Sequence, residues 1–219
     1  MKGPSNEVGP FWRLRRTMRL FSRGEAPHAD RLVVGLGNPG EEYAGTRHNV
    51  GYQVASRLAK RMRAEFKTKS ADARIAEGSI GTTRVAVARP GTFMNDSGHS
   101  VRRLLQRYRL EPRDLLVVYD DIDLPLGRIR IRPSGGPGTH NGMRSVVAEI
   151  ESESFPRVRL GIRPDGERGD LVDHVLSAFT DKEKEQAEQM IARATEAIEV
   201  LVRDGIERAM ERFNRDGER

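Results

Sequence analysis

The chain of 219 residues predicts a single α/β domain: a twisted, mixed, mostly parallel sheet flanked by helices. Three observations lead there. The apolar run LVVGL at 32–36 and the run LLVVY at 115–119 read as strands covered on both faces, as a parallel sheet requires. Stretches of helical apolar period separate the strands. Two further stretches, 128–132 and 155–163, alternate polar and apolar residues, the mark of strands with one solvated face. The domain is expected over 31–214. Residues 1–30, rich in Gly, Pro, Ser and Arg, are expected to be a disordered basic extension, or a leader upstream of a true start at Met18.

Composition narrows the function. There is no cysteine, hence no disulfide framework and no thiolate metal site. With five histidines and no thiolates, a structural zinc is not expected. No apolar run approaches membrane-spanning length. A formal net charge of +6 favours a polyanionic partner such as nucleic acid.

Taken in order, the first strand breaks at the turn Gly35-Leu36-Gly37-Asn38-Pro39-Gly40. A polar loop follows, and a helix opens near His48, with Val50, Val54, Leu58 and Met62 on one face. Residues 73–80 and 83–88 read as two strands turning at Gly81. GTFMNDSG at 91–98 leads into a helix with Val101, Leu104, Leu105 and Tyr108 inward; Asn95, Asp96 or Ser97 would cap it. The strand 115–119 ends in Asp120-Asp121-Ile122-Asp123. The alternating strand 128–132 and the glycine-rich segment 134–142 precede a helix carrying Met143, Val146, Val147 and Ile150. After the strand 155–163 come a polar loop at 164–169 and a short helix at 171–179. A long helix over 180–214 follows, opened by a Thr180/Glu183 capping box and kinked at Gly205.

The glycines 35, 37 and 40 fit G-x-G-x-x-G, the dinucleotide fingerprint. Two features argue against a nucleotide. Glu41 and Glu42 stand where phosphate would lie, and the ribose-binding acid expected about 20 residues on is replaced by a basic stretch at 57–63. Asp120, Asp121 and Asp123 would suit magnesium, but no second carboxylate cluster accompanies them.

Four strand-to-helix junctions present polar side chains: Asn38 with His48, Asn95, Asp120, and His140 with Asn141. The carboxyl ends of strands are where α/β proteins bind ligands. No nucleophilic cysteine and no G-x-S-x-G serine is present. What remains is a histidine base, a carboxylate to orient it and several amides, a set suited to hydrolysis of a reactive ester by water.

GLGNPGEEYAGTRHNVG, GTFMNDSG, YDDIDLPLG, THNGMRS and FPRVRLGIRP resemble, in sequence and in order, the motifs of the bacterial peptidyl-tRNA hydrolase family. The resemblance covers about residues 31–200. It implies a monomeric, cytoplasmic enzyme without cofactor, metal, membrane contact or obligate protein partner. Its substrate would be peptidyl-tRNA, engaged by its acceptor stem and 3′ end. The ester between the peptide, or an N-blocked aminoacyl group, and the tRNA would be cleaved, recycling peptidyl-tRNA dropped from ribosomes. By the same resemblance His48 is the general base, Asp120 orients it, and Asn38 completes the catalytic set. Tyr43, Phe93, Met94, Asn95 and Asn141 form the substrate site. Arg130, Arg132 and Arg159 fall where the family grips the tRNA 5′ phosphate. The alternation in 128–132 and 157–160 would put the arginines on one face if the strands are neighbours. His140 is read as structural or as a support behind the groups that meet the substrate, and Asn49 as structural, holding a backbone group. Thr139 departs from the family's usual glycine and would cost stability if that position needs φ > 0. A non-catalytic RNA-binding protein and a nucleotide-dependent oxidoreductase are the alternatives from other classes.

Overall fold

Alternate residues of the first apolar run point to opposite sides of the sheet, and each side has its own core. Val33 packs with Val54, Leu58, Ile191 and Ile198, whereas Leu32 and Val34 pack with Val101, Leu104, Met143 and Val146. Both layers are built mostly from aliphatic side chains, with a few aromatics such as Phe155 and Phe213, that burial drives together. The computed structural model describes residues 27–163 and 170–215. Most of the basic extension, Met18 and the polar loop at 164–169 lie outside the described residues.

Seven strands form one sheet: β1 (Arg31–Gly35), β2 (Thr68–Ser70), β3 (Ala73–Ile80), β4 (Thr83–Pro90), β5 (Leu115–Pro125), β6 (Ile129–Arg132) and β7 (Arg157–Arg163). Their order is β2-β3-β4-β1-β5-β7-β6. β4, β1, β5 and β7 are mutually parallel. β3 and β6 run against their neighbours, and β2, antiparallel to β3, regains the common direction. The sheet is therefore mixed and mostly parallel. On one face lie α1 (Val50–Arg61), α5 (Asp181–Asp204) and α6 (Ile206–Phe213); on the other lie α2 (Ser97–Tyr108) and α3 (Asn141–Ile150). A short α4 (Leu171–Leu176) stands at the carboxyl ends of the parallel strands.

Departures from expectation have local causes. β5 continues six residues past Tyr119 because it goes on pairing with β7, Asp120 opposite Leu160 and Asp121 opposite Gly161. Gly161 allows this: a Cβ there would lie 1.9 Å from the Pro125 carbonyl oxygen. The helix foreseen at His48 is a 3-10 turn over Arg47–Asn49, with α1 starting at Val50. β2 was not foreseen, since Thr68, Lys69 and Ser70 carry no apolar signature. The capping box of Thr180 and Glu183 forms as expected. Gly205, with φ 94°, separates α5 from α6. No side chain caps α2. Before β1, Ala29 is buried and the Asp30 carboxylate accepts the Arg84 backbone N–H at 2.9 Å.

Candidate active site

Because β4, β1 and β5 are parallel, the segments following β4 and β1 and the outer part of β5 itself gather at one end of the sheet. Two glycines bring that end together. Gly35 closes β1 and Gly51 opens α1; a Cβ on Gly35 would lie 2.1 Å from the Gly51 carbonyl oxygen, and one on Gly51 would lie 2.5 Å from that of Val118. The turn bearing His48 is thus seated on the end of β5, which bears Asp120. Of the fingerprint-like glycines, Gly35 and Gly37 serve contact with α1, through Gly51 and the Tyr52 ring, while Gly40 takes φ 117° in the turn.

His48 places Nδ1 2.9 Å from each Asp120 oxygen. A carboxylate only accepts, so Nδ1 carries the proton and the lone pair resides on Nε2. Asp120 is 2% exposed. Burial opposes its charge, but the two imidazoles beside it, His140 and His48, outweigh that and hold its carboxyl well below the usual range. The group is therefore an anion throughout the physiological range, able to orient a ring and to stabilise it once protonated.

His140 is the second ring. Its Nε2 lies 3.0 Å from Asp120 Oδ1, and its Nδ1 accepts the Met143 backbone N–H at 3.1 Å, capping α3. Nδ1 therefore holds a lone pair and Nε2 the proton. Both nitrogens are engaged, and the ring has none left for a reacting atom. His140 thus ties the start of α3 to the Asp120 carboxylate, a contact that its sequence position did not reveal. A polar residue three before the first inward residue of a helix was the only available signal.

Asn38 is buried, and its Oδ1 accepts the Met94 backbone N–H at 2.8 Å. Its Nδ2 is the end left for a ligand, so the residue faces the cavity as a donor. Asn49 does hold a backbone group: Oδ1 accepts from Asn38 N at 2.8 Å and Nδ2 donates to Asn38 O at 2.9 Å. Asn38 is thereby held on both sides.

These groups border a cavity of about 810 Å³. Phe93, Asn95 and Asn141 line it with exposed side chains, and Met94 with a buried one. Tyr43 stands outside that lining but meets Phe93 edge-on, ring centres 6.4 Å apart. Thr139 has no positive φ; Gly138 beside it takes φ 60° instead, so the threonine is accommodated without strain. Opposite stands α4, whose Leu171, Val172 and Leu176 reach the cavity while remaining exposed.

The two arginine-bearing strands are neighbours, with Arg130 opposite Arg159 and Arg132 opposite Arg157. Ile129 and Ile131 are buried and the arginines lie on the other face. The basic face is narrower than the alternation suggests. Arg157 is 2% exposed, and its guanidinium donates to the carbonyls of Glu153, Phe155 and Gly135, holding the glycine-rich segment. Arg159 is paired with Asp121. Arg132 and Arg159 line the cavity at His48, while Arg130 borders a second cleft beside α5 and α6. Arg130 and Arg132 have no ion-pair partner among the described residues.

Asp121, Asp120 and Asp123 do not converge as a magnesium site would need. Asp121 is bound to Arg159 and to the Asp123 backbone N–H. A different donor set exists: ligand atoms of His48, Asp120 and His140 lie within 4.8 Å of one another, a combination that suits zinc. An ion there would have to displace the protons that both rings share with Asp120.

An α/β sheet carrying an imidazole–carboxylate pair and converging amides at its carboxyl ends holds the groups that a water-activating hydrolase needs. A family model described as peptidyl-tRNA hydrolase matches residues 32–219. The peptidyl-tRNA hydrolase of Roseiflexus sp. (strain RS-1) is 51% identical over 184 residues, 84% of this chain and 85% of that protein. That of Chloroflexus aggregans is 48% identical over 185 residues, 84% of this chain and 98% of its own. A crystal structure of the peptidyl-tRNA hydrolase of Acinetobacter baumannii gives a TM-score of 0.80 at 34% identity, covering 86% of this chain and 97% of that one. The chain belongs to the peptidyl-tRNA hydrolase family. No helix among the described residues is long and apolar enough to cross a membrane.

Proposed function

We propose that the protein is a monomeric, metal-independent cytoplasmic enzyme. It hydrolyses the ester joining a peptide, or an N-blocked aminoacyl group, to the 3′ end of tRNA, and so recycles tRNA from peptidyl-tRNA lost by ribosomes. The observation that carries this reading is the His48 Nδ1–H···Asp120 pair, which leaves Nε2 as a lone pair at the cavity.

The chemistry follows from the protonation states. His48 Nε2 takes a proton from water as the oxygen attacks the ester carbon. The ester carbonyl becomes a tetrahedral oxyanion, and side-chain amides of the asparagines supply donors for it. Asp120 stabilises the imidazolium formed. When the bond to the ribose oxygen breaks, His48 returns the proton to that oxygen. General base catalysis of this kind typically contributes ~10²–10⁴-fold. Asn38 presents Nδ2 to a peptide or ester carbonyl, and Asn95 and Asn141 hold the rest of the acyl group and the water. Phe93 with Tyr43 and Met94 receives the terminal nucleotide and the first residue. Arg130, Arg132 and Arg159 grip the tRNA 5′ phosphate, Arg159 by sharing its fork with Asp121.

Purified protein should release free tRNA and the blocked amino acid from an N-acetylaminoacyl-tRNA in the presence of a metal chelator. No release, or release only after a divalent ion is restored, would overturn the reading.

A further inference from the structure

α4 forms one wall of the cavity, yet none of its residues is buried. Leu171 is 46% exposed, Val172 62% and Leu176 39%. Hydrophobic burial fixes most helices in place; here there is little of it. Apart from half-buried Val175, which packs against the core, what holds α4 is polar. At its C-terminal end the backbone N–H of Arg47 donates to Ser177 O at 3.0 Å, and Thr46 and Ala178 form a β-bridge. Arg47 is 4% exposed, and its guanidinium donates to Ser177 Oγ at 2.7 Å, Ala178 O at 2.5 Å and Glu183 Oε2 at 2.6 Å. It lies over the Phe179 ring at 5.0 Å. In the middle of the helix, His174 Nε2 donates to Ile162 O at 2.7 Å, tying α4 to β7.

Arg47 immediately precedes His48 in the chain. The residue that anchors the apolar wall is therefore bonded covalently to the proposed base, and β7, which carries the other anchor, pairs with β5 beside Asp120. The distance from wall to reacting centre is set by these two pins. A buried arginine is well suited to pinning the wall, because its planar fork reaches three acceptors that a lysine's single ammonium cannot satisfy together.

We propose that Arg47 and His174 are positioning residues that hold α4 as an apolar wall for the side chain of the peptide's C-terminal residue, so that substrate preference depends on two residues touching neither substrate nor water. This rests on the hydrolase reading above. The wall consists of leucine and valine side chains left uncovered by the fold, and it shares one cavity with His48. An aliphatic acyl side chain is the occupant its chemistry fits; ribose and phosphate would gain nothing from it.

The test compares N-acetyl-leucyl and N-acetyl-glycyl groups loaded on the same tRNA. The wild type should favour the leucyl substrate through KM, by about tenfold, the range typical of one hydrophobic subsite. Leu171→Ala with Val172→Ala should remove most of that preference. His174→Ala should do the same while leaving kcat on the glycyl substrate within about twofold. Arg47→Lys should shift the preference in the same direction; if it does not fold, His174→Ala decides. A purely structural role would lower activity on both substrates in proportion to the folded fraction, read by circular dichroism. Equal losses on both substrates, or an unchanged preference in folded His174→Ala, would overturn the inference. So would a wild type that shows no leucyl preference, although hydrolysis of both substrates would leave the enzymatic reading intact. A wild type that cleaves neither substrate removes the foundation of both.

Discussion

His48 and His140 touch the same carboxylate at nearly the same distance, 2.9 and 3.0 Å, and their rings lie 5.1 Å apart. The difference between them is the second nitrogen. His48 has Nε2 available at the cavity, whereas His140 has its Nδ1 occupied by the first turn of α3. A shared anion does not make two equivalent catalytic groups. The bond made by the other nitrogen fixes which tautomer is present and whether a lone pair remains for the substrate. One histidine can move a proton; the other holds Asp120 and a helix start in register.

Removing the rings one at a time tests the contrast most severely. His48→Ala should reduce turnover by ~10²–10⁴-fold, the whole of a general base contribution, with tRNA affinity retained in a filter-binding assay. Residual turnover near wild type would assign the base elsewhere. Asp120→Asn comes next, with a loss of roughly 10²-fold or more, because a neutral amide no longer stabilises the imidazolium. Its stability profile adds a signed expectation. The Asp120 carboxyl is depressed in the folded state, so its contribution is complete above the unfolded value of about 4 and is lost as pH falls toward the lower folded value. Asp120→Asn should remove that part of the acid sensitivity, measured as the urea midpoint between neutral pH and pH 3.

His140→Ala should cost much less in turnover than His48→Ala, on the order of tenfold, and should lower stability by ~1 kcal/mol through the lost cap of α3. Equal kinetic losses for the two histidines would erase the distinction between them. Smaller effects lie further from the carboxylate. Asn38→Asp would replace the cavity-facing donor with an acceptor that attracts the cationic α-amino group of free aminoacyl-tRNA. The ratio of activities on blocked and free substrates should fall several-fold. Arg130→Ala and Arg132→Ala, which remove the two arginines lacking ion-pair partners among the described residues, should each flatten the slope of log affinity against log salt by about 0.7–0.9. Cleavage of a short peptidyl-oligonucleotide without the acceptor stem should be unaffected.

Much of this arrangement was legible in the sequence wherever one residue type has one physical outcome. The apolar runs at 32–36 and 115–119 became adjacent parallel strands, and the isoleucines of 128–132 went inward while its arginines did not. His48 and Asp120 could be brought together because each belongs to a junction that follows such a run, Asp120 directly and His48 across a polar loop. The remainder depended on what covers a residue. Arg157 has the same alternation as Arg159, yet it is buried because the glycine-rich segment folds over it and offers carbonyls. Arg47, between Thr46 and His48, showed nothing of its bonds to residues 130 positions or more away. α4 has an amphipathic pattern, but only Val175 of its apolar side chains packs against a core, while Leu171, Val172 and Leu176 are left exposed at the cavity.

The assignment of two different tautomers to two neighbouring rings is most directly read from imidazole ¹⁵N chemical shifts and their proton couplings at a pH where both rings are neutral. The structure predicts the proton of His48 on Nδ1 with an unprotonated Nε2, and the proton of His140 on Nε2 with an Nδ1 shifted by the Met143 hydrogen bond. A His48 ring protonated on Nε2, or a His140 ring with Nε2 unprotonated, would contradict the division of labour on which the proposed mechanism stands.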